Sequence, residues 1–110
     1  MGYKLFLDDL RTVEMVYTTN DFVVVRSFAE FVKHIKENGL PDFISFDNDL
    51  GEDNEGNILP DGYACTKWLV NESKLDLSAL KFNVHSANPV AKIQIESLLN
   101  NYLRFLKSEK

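Results

Sequence analysis

The chain has 110 residues, 45% of them hydrophobic and 26% charged, with five glycines and three prolines. This is the composition of one globular domain and excludes a disordered or low-complexity chain. A single cysteine, Cys65, excludes an internal disulfide framework and a cysteine-based zinc site. The net charge of −5 disfavours binding along a nucleic-acid duplex.

The chain opens MGYKLFLDD, whose apolar core is too short for a secretory signal and stops at two aspartates. Phe6 stands where a myristoylation signal requires Ser or Thr. No apolar run approaches the ~18 residues of a membrane span. One cytoplasmic domain over residues 1–110, with no membrane contact, is the expectation.

Residues 3–8 read as a short apolar strand ending in acids, and residues 22–26 as a second, β-branched strand. Runs of this kind suit a parallel sheet covered on both faces. The intervening residues 10–21 are poor helix formers and predict a loop or a single turn. Ser27-Phe28-Ala29-Glu30 matches a capping box, and Phe28, Phe31, Val32 and Ile35 follow at helical spacing until Gly39. A third strand spans 42–47 and runs into an acidic loop, 48–60, that reads as a lid and lacks calcium-loop spacing. Asp61-Gly62 starts a helix over 62–72, with Cys65 and Trp68 read as buried. Residues 82–86 form a fourth strand of edge character. Asn88-Pro89 starts a final helix over 89–107, about 28 Å long.

This alternation predicts an α/β fold: a three-layer α/β/α sandwich on a four-stranded parallel sheet in order 2-1-3-4. The helices over 28–38 and 62–72 would share one face, and the final helix would cover the other. Ligands of such sheets bind beyond the carboxyl ends of the strands.

Three strands end in polar residues: the first in Asp8-Asp9 with Arg11 behind, the third in Asp47 with Asp49 two on, the fourth in His85-Ser86 with Asn88 two on. One strand-end Asp is most simply turn chemistry. Several meeting on one rim repel unless protonated or joined by a cation, and a hard divalent ion suits them. Eight acids and no Lys or Arg lie from Glu37 to Asp61, a field that favours cations.

The motifs LFLDDLR, FISFDNDL and LPDGYA resemble the receiver domain of two-component response regulators over about residues 3–88. That resemblance implies Mg²⁺ on Asp8, Asp9 and Asp47, a metal-facing carbonyl at Asp49, and phosphoryl acceptance by Asp47. The sequence departs from receivers: the first helix shrinks to a loop, and no fifth strand with its Lys follows. Asp-Leu-Arg together with HSAN instead resembles the cyclic-phosphate processing group of receiver-like domains, on a truncated receiver/flavodoxin-like fold. Its pattern is matched by Asp8, Asp9, Arg11, Asp47, Asp49, His85, Ser86 and Asn88.

The resemblance implies a metal-dependent phosphoesterase, using Mg²⁺ or Mn²⁺, that processes a small cyclic phosphate from an RNA end or a nucleotide. The metal ligands would be Asp8, Asp9, Asp47 and Asp49. Arg11 would clamp a phosphate oxygen and His85 would shuttle a proton, with Asp47 and Ser86 joining the catalysis and Ser86 and Asn88 binding substrate. The partner would be a small phosphorylated ligand. The alternatives are a degenerate receiver, phosphorylated at Asp47 and acting through a protein partner, and a catalytically silent ligand sensor.

Overall fold

The computed structural model describes residues 2–18, 21–51 and 54–108. Strands β1 (Lys4–Leu7), β2 (Phe22–Val25), β3 (Phe43–Phe46) and β4 (Lys81–Val84) form one parallel sheet in the order β2-β1-β3-β4. Helices α1 (Phe28–Asn38), α2 (Gly62–Asn71) and α3 (Pro89–Ser108) follow β2, β3 and β4, and a short 3-10 turn, Val13–Met15, interrupts the β1–β2 connection. The order and direction of the strands agree with the sequence reading. Among the described residues no helix is long and apolar enough to cross a membrane.

The helix starts follow from their caps. The Ser27 side chain accepts from the Glu30 N–H, while the Glu30 carboxylate accepts from the Arg26 N–H. Asp61 accepts from the Ala64 N–H, and Asn88 accepts from the N–H groups of Val90 and Ala91. Each supplies a partner to an amide that the first helical turn leaves unpaired. Gly39 ends α1 at a φ of +85°, a conformation glycine adopts without strain.

Alternation along the strands sorts the two sheet faces. Leu5, Leu7, Val25, Ile44, Phe46 and Val84 point to one side, where they pack in a single core with Phe31 and Ile35 of α1, Cys65, Trp68 and Leu69 of α2, and Ile95 and Leu99 of α3. The final helix therefore lies beside α2 on the same face as α1, not across the sheet as expected. The third layer is not a helix. It is the β1–β2 connection, whose Tyr17 ring sits 6.4 Å from Phe6 and 4.9 Å from Phe22.

The composition of that second face explains the difference. It alternates Phe6, Phe22 and Phe43 with Lys4, Ser45, Lys81 and Asn83, so it is half polar and one aromatic plug suffices to bury Phe6 completely. The fourth strand is also shorter than expected, ending at Val84 and leaving His85 and Ser86 beyond it.

Candidate functional site

The sheet register decides which side chains meet. Leu7 pairs with Val25 and Phe46, and Phe46 with Val84, so all four strands stop at one level. One further rung continues the ladder: Asp8 N–H donates to Val25 O (3.2 Å), Asp47 N–H to Leu7 O (2.9 Å) and His85 N–H to Phe46 O (2.9 Å). Asp8, Asp47 and His85 thus stand side by side on the rim. Being one residue past a core-facing position, their side chains turn toward the Phe6 face.

Asp8 is almost fully buried and accepts four hydrogen bonds. Its Oδ1 takes the N–H groups of Leu10 (3.0 Å) and Arg11 (2.9 Å). Its Oδ2 takes Arg11 Nη1 (3.2 Å) and His85 Nε2 (2.9 Å). Burial alone would raise its pKa, but the two backbone donors, His85 and Arg11 outweigh it and hold the carboxyl below its ordinary range. Asp47 is placed differently. Burial first and the neighbouring Asp8 second push its pKa up to about 6, against the opposing hydrogen bond from Asn48 N–H (2.9 Å) and the charge of Arg11.

Carboxylate oxygens of Asp8, Asp9 and Asp47 all lie within 4.8 Å of one another. Arg11 Nη1 sits against two of these acids, 3.2 Å from Asp8 and 3.8 Å from Asp47. The group opens into a cleft of about 300 Å³ lined by Asp8, Asp9, Leu10, Arg11, Asp47, Asp49, Gly51, Ser86 and Ala87. Three hard oxygen donors at this spacing fit a small divalent cation that retains several waters. A larger cleft of about 480 Å³ lies on the Phe6 side of the sheet, near the strand starts, and is lined mostly by apolar surface of Tyr3, Tyr17, Phe22 and Phe43. It carries no such cluster.

The remaining sequence candidates divide. Ser86 lines the acidic cleft and accepts from the Asn88 N–H (3.1 Å). Asp49 lines it too, but its carboxylate stands outside the group of three and accepts from the Asn48 side chain (3.3 Å). Asn88 does not line it, because its side chain is committed to the start of α3. His85 does not line it either: its side chain is 4% exposed, behind Asp8. The ring stacks on Phe6 at 4.7 Å and 4°, and Nδ1 lies 2.6 Å from Ser45 Oγ. Burial lowers the His85 pKa, outweighs the opposing pull of Asp8 and so favours the neutral imidazole. Burial likewise raises the Cys65 thiol, which stays protonated and inert in the core. The suggested lid includes Glu52 and Asp53, which lie outside the described residues; its residues 54–58 are exposed.

Four residues that shape the rim carried no role in the sequence reading. Arg26 Nη1 donates to the carbonyls of Asp8 (3.2 Å) and Arg11 (2.8 Å) and so ties down the acidic turn. It follows β2 as Asp8 follows β1, so the strand-end rule that selected the acids selects it too. Asn48 anchors the start of α2 by accepting from the Tyr63 N–H (3.1 Å). Ser45 lies two residues before Asp47 on the same side of β3, a lone hydroxyl in an apolar strand and hence a readable signal. Tyr17, bonded to Ser45 at 2.8 Å, offered none.

The profile of the cyclic-phosphate processing Receiver domain matches residues 3–101. No curated protein matches the chain. Among solved structures, similarity extends to one described as the yeast Spc42 trimeric coiled coil, amino acids 181–211, fused to another structure. The TM-score is 0.57 at 16% identity, over 98% of this chain and 80% of that one, which is a likeness of fold alone.

Proposed function

From the premise that the chain belongs to the cyclic-phosphate processing receiver domains, we propose that it is a metal-dependent phosphoesterase that opens a small cyclic phosphate. An RNA-end or nucleotide-derived ring is the substrate class. The observation that carries this reading is the trio Asp8, Asp9 and Asp47 beside Arg11 at the mouth of one cleft.

Asp8, Asp9 and Asp47 would hold Mg²⁺ or Mn²⁺, with the Asp49 carbonyl a further candidate. The ion would supply Lewis-acid polarisation of a phosphate oxygen. Arg11 is partly exposed, and its fork matches two phosphate oxygens, so it clamps the non-bridging oxygens of the ring. The Ser86 hydroxyl in the cleft wall adds a donor to the same group. Asn88 takes the Val90 and Ala91 amides for its own cap, so it supports the Ser86 turn and does not leave those amides to an anion. Water adds to phosphorus, one ring P–O bond breaks, and the released alkoxide takes up a proton, leaving a phosphomonoester and a hydroxyl. Because His85 faces Asp8 and not the cleft, its contribution is exercised through Asp8 and not by direct proton transfer to the ring.

The test is a panel of cyclic phosphates incubated with the protein and Mg²⁺ or Mn²⁺, followed by ³¹P NMR. A phosphomonoester product is expected, with kcat/KM lowered at least about 100-fold in Asp47→Asn. A protein that binds the ion yet turns over none of the panel overturns the reading. In that event a metal-dependent mass gain from a small acyl-phosphate donor, lost in Asp47→Asn, would mark Asp47 as a phosphoryl acceptor acting through a partner.

A further inference from the structure

Behind the acidic cleft a file of polar groups crosses the Phe6 face of the sheet. Asn83 Nδ2 lies 3.0 Å from the Tyr17 hydroxyl, that hydroxyl 2.8 Å from Ser45 Oγ, and Ser45 Oγ 2.6 Å from His85 Nδ1. His85 Nε2 completes the file, 2.9 Å from Asp8 Oδ2. Ser45 is fully buried in the middle of β3, where an apolar residue would serve the strand equally well. A buried polar group that serves nothing is destabilising, so the file calls for a reason.

For a neutral imidazole beside an ionised Asp8, one set of bond directions satisfies every group. An ionised Asp8 only accepts, so the His85 proton sits on Nε2. In a neutral ring Nδ1 is then an acceptor, and the Ser45 hydroxyl must donate to it. With its one hydrogen spent, Ser45 accepts from Tyr17, and Tyr17 in turn accepts from the Asn83 amide. No member is left with two donors face to face. The Phe6 ring, stacked parallel on His85, fixes the remaining freedom, the plane of the imidazole.

We infer that Tyr17 and Ser45 are positioning residues of this site: through His85 they hold the Asp8 carboxylate in the orientation in which it contributes to metal binding. The inference rests on the metal reading of the cleft and extends it to residues behind the rim, on the Phe6 face of the sheet. The Tyr17 hydroxyl touches neither the acids nor the cleft, so its influence can reach them only along this file. The β1–β2 connection, which replaces a helix on this face, thereby has a role in the site as well as in covering Phe6.

The test uses the whole chain, with ring-¹⁵N-labelled histidine, as wild type, Ser45→Ala and Tyr17→Phe. The wild type should show His85 protonated at Nε2 alone, with Nδ1 an acceptor. In Ser45→Ala the Nδ1 signal should move toward that of an unbonded ring nitrogen, and the Mn²⁺ dissociation constant should rise by about 10-fold, as for other groups that orient metal ligands. Tyr17→Phe should move both readings the same way by less. It also carries the test alone should Ser45→Ala fail to fold.

A proton on Nδ1 in the wild type reverses the file and overturns the inference. So does Mn²⁺ binding within about twofold of wild type in both variants, since outer groups that act on a metal change affinity by more. A wild type that binds no Mn²⁺ overturns the metal reading itself. Unmoved ring signals in the variants overturn the file independently of any metal.

Discussion

Arg11 Nη1 already places a positive charge against Asp8 and Asp47, 3.2 and 3.8 Å from their carboxylates. On the proposed reading, a divalent ion entering the same group would meet that charge and compete for Asp8 Oδ2, which would displace the guanidinium toward the cleft, where a phosphate would receive it. Arg11→Met should therefore bind Mn²⁺ more tightly in the absence of substrate, by roughly 3- to 10-fold for a charge removed at about this distance. The same variant should show a raised KM for the cyclic phosphate. Calorimetry and steady-state kinetics read the two effects separately, and a loss of metal affinity would show that Arg11 builds the site and does not compete for it. Asp47 yields a second residue-scale prediction. Its folded pKa, about 6, lies above the ordinary carboxylate value, so the folded state holds this proton more tightly than the unfolded chain. Ionised Asp47 is thus a full cost above pH 6, and the cost vanishes as pH falls below about 4. Asp8 is shifted the other way and acts below that window, while the lowered His85 has the opposite sign to Asp47 and acts from its ordinary value downward. Comparison with Asp47→Asn isolates the group, because asparagine retains an oxygen for the Asn48 N–H. Without metal, the variant should be more stable than wild type by on the order of 2–3 kcal/mol at pH 7.5 in urea unfolding, with the gap closing toward pH 4.

The junction of β3 and α2 carries the site's backbone precision. A Cβ built on Gly62 would stand 2.0 Å from the Asp47 carbonyl oxygen and 3.0 Å from the Asn48 Cα. The Gly62 N–H donates to Asn48 O (2.8 Å), and the Tyr63 N–H to the Asn48 side chain (3.1 Å), so the first turn of α2 is clamped onto the residues carrying the acid. Gly62→Ala must force the two backbones apart. It should cost about 1–3 kcal/mol in urea unfolding, as overpacking does. It should also weaken Mn²⁺ binding, because Asp47 moves with its carbonyl. Unchanged metal affinity in a destabilised variant would separate the clamp from the site. Sequence signals at this scale were legible wherever they are local. Ser27 with Glu30, Asp61 with Gly62, and Asn88 with Pro89 mark helix starts because a cap and its amides lie within four residues. Strand-end acids were legible because equal strand lengths bring them level. What stayed illegible is nonlocal: Ser45 and Tyr17 are 28 residues apart, and His85 and Asp8 are 77 apart. No spacing rule connects them before the sheet exists. His85 was found as a rim residue, but its facing toward Asp8 follows from strand register and the Phe6 stack, which the sequence alone does not reveal.

At the scale of the whole molecule, the sheet has one face packed by three helices and one plugged by a loop. The expectation of a helix on each face came from reading the β1 and β2 runs as apolar on both sides. That holds for Leu5-Phe6-Leu7 but fails for β3 and β4, where Ser45, Lys81 and Asn83 occupy the second face. The final helix buries Ala91, Ile95 and Leu99, and its core contact is α2, whose apolar surface would otherwise face water. This arrangement leaves Val24, on the second face of edge strand β2, at 36% exposure, while Leu99 is fully buried. The two positions therefore distinguish a one-sided helical layer from a true sandwich. Val24→Thr keeps a β-branched side chain on a wet surface and should change stability by no more than about 0.5 kcal/mol. Leu99→Ala opens a cavity between α3 and the shared core and should cost about 2–4 kcal/mol. Urea unfolding of both variants without metal measures the contrast. Were α3 to cross to the Phe6 face, Val24 would be buried beneath it and the threonine hydroxyl would carry a desolvation cost of about 1–3 kcal/mol, so a large loss at Val24 would refute the one-sided layer.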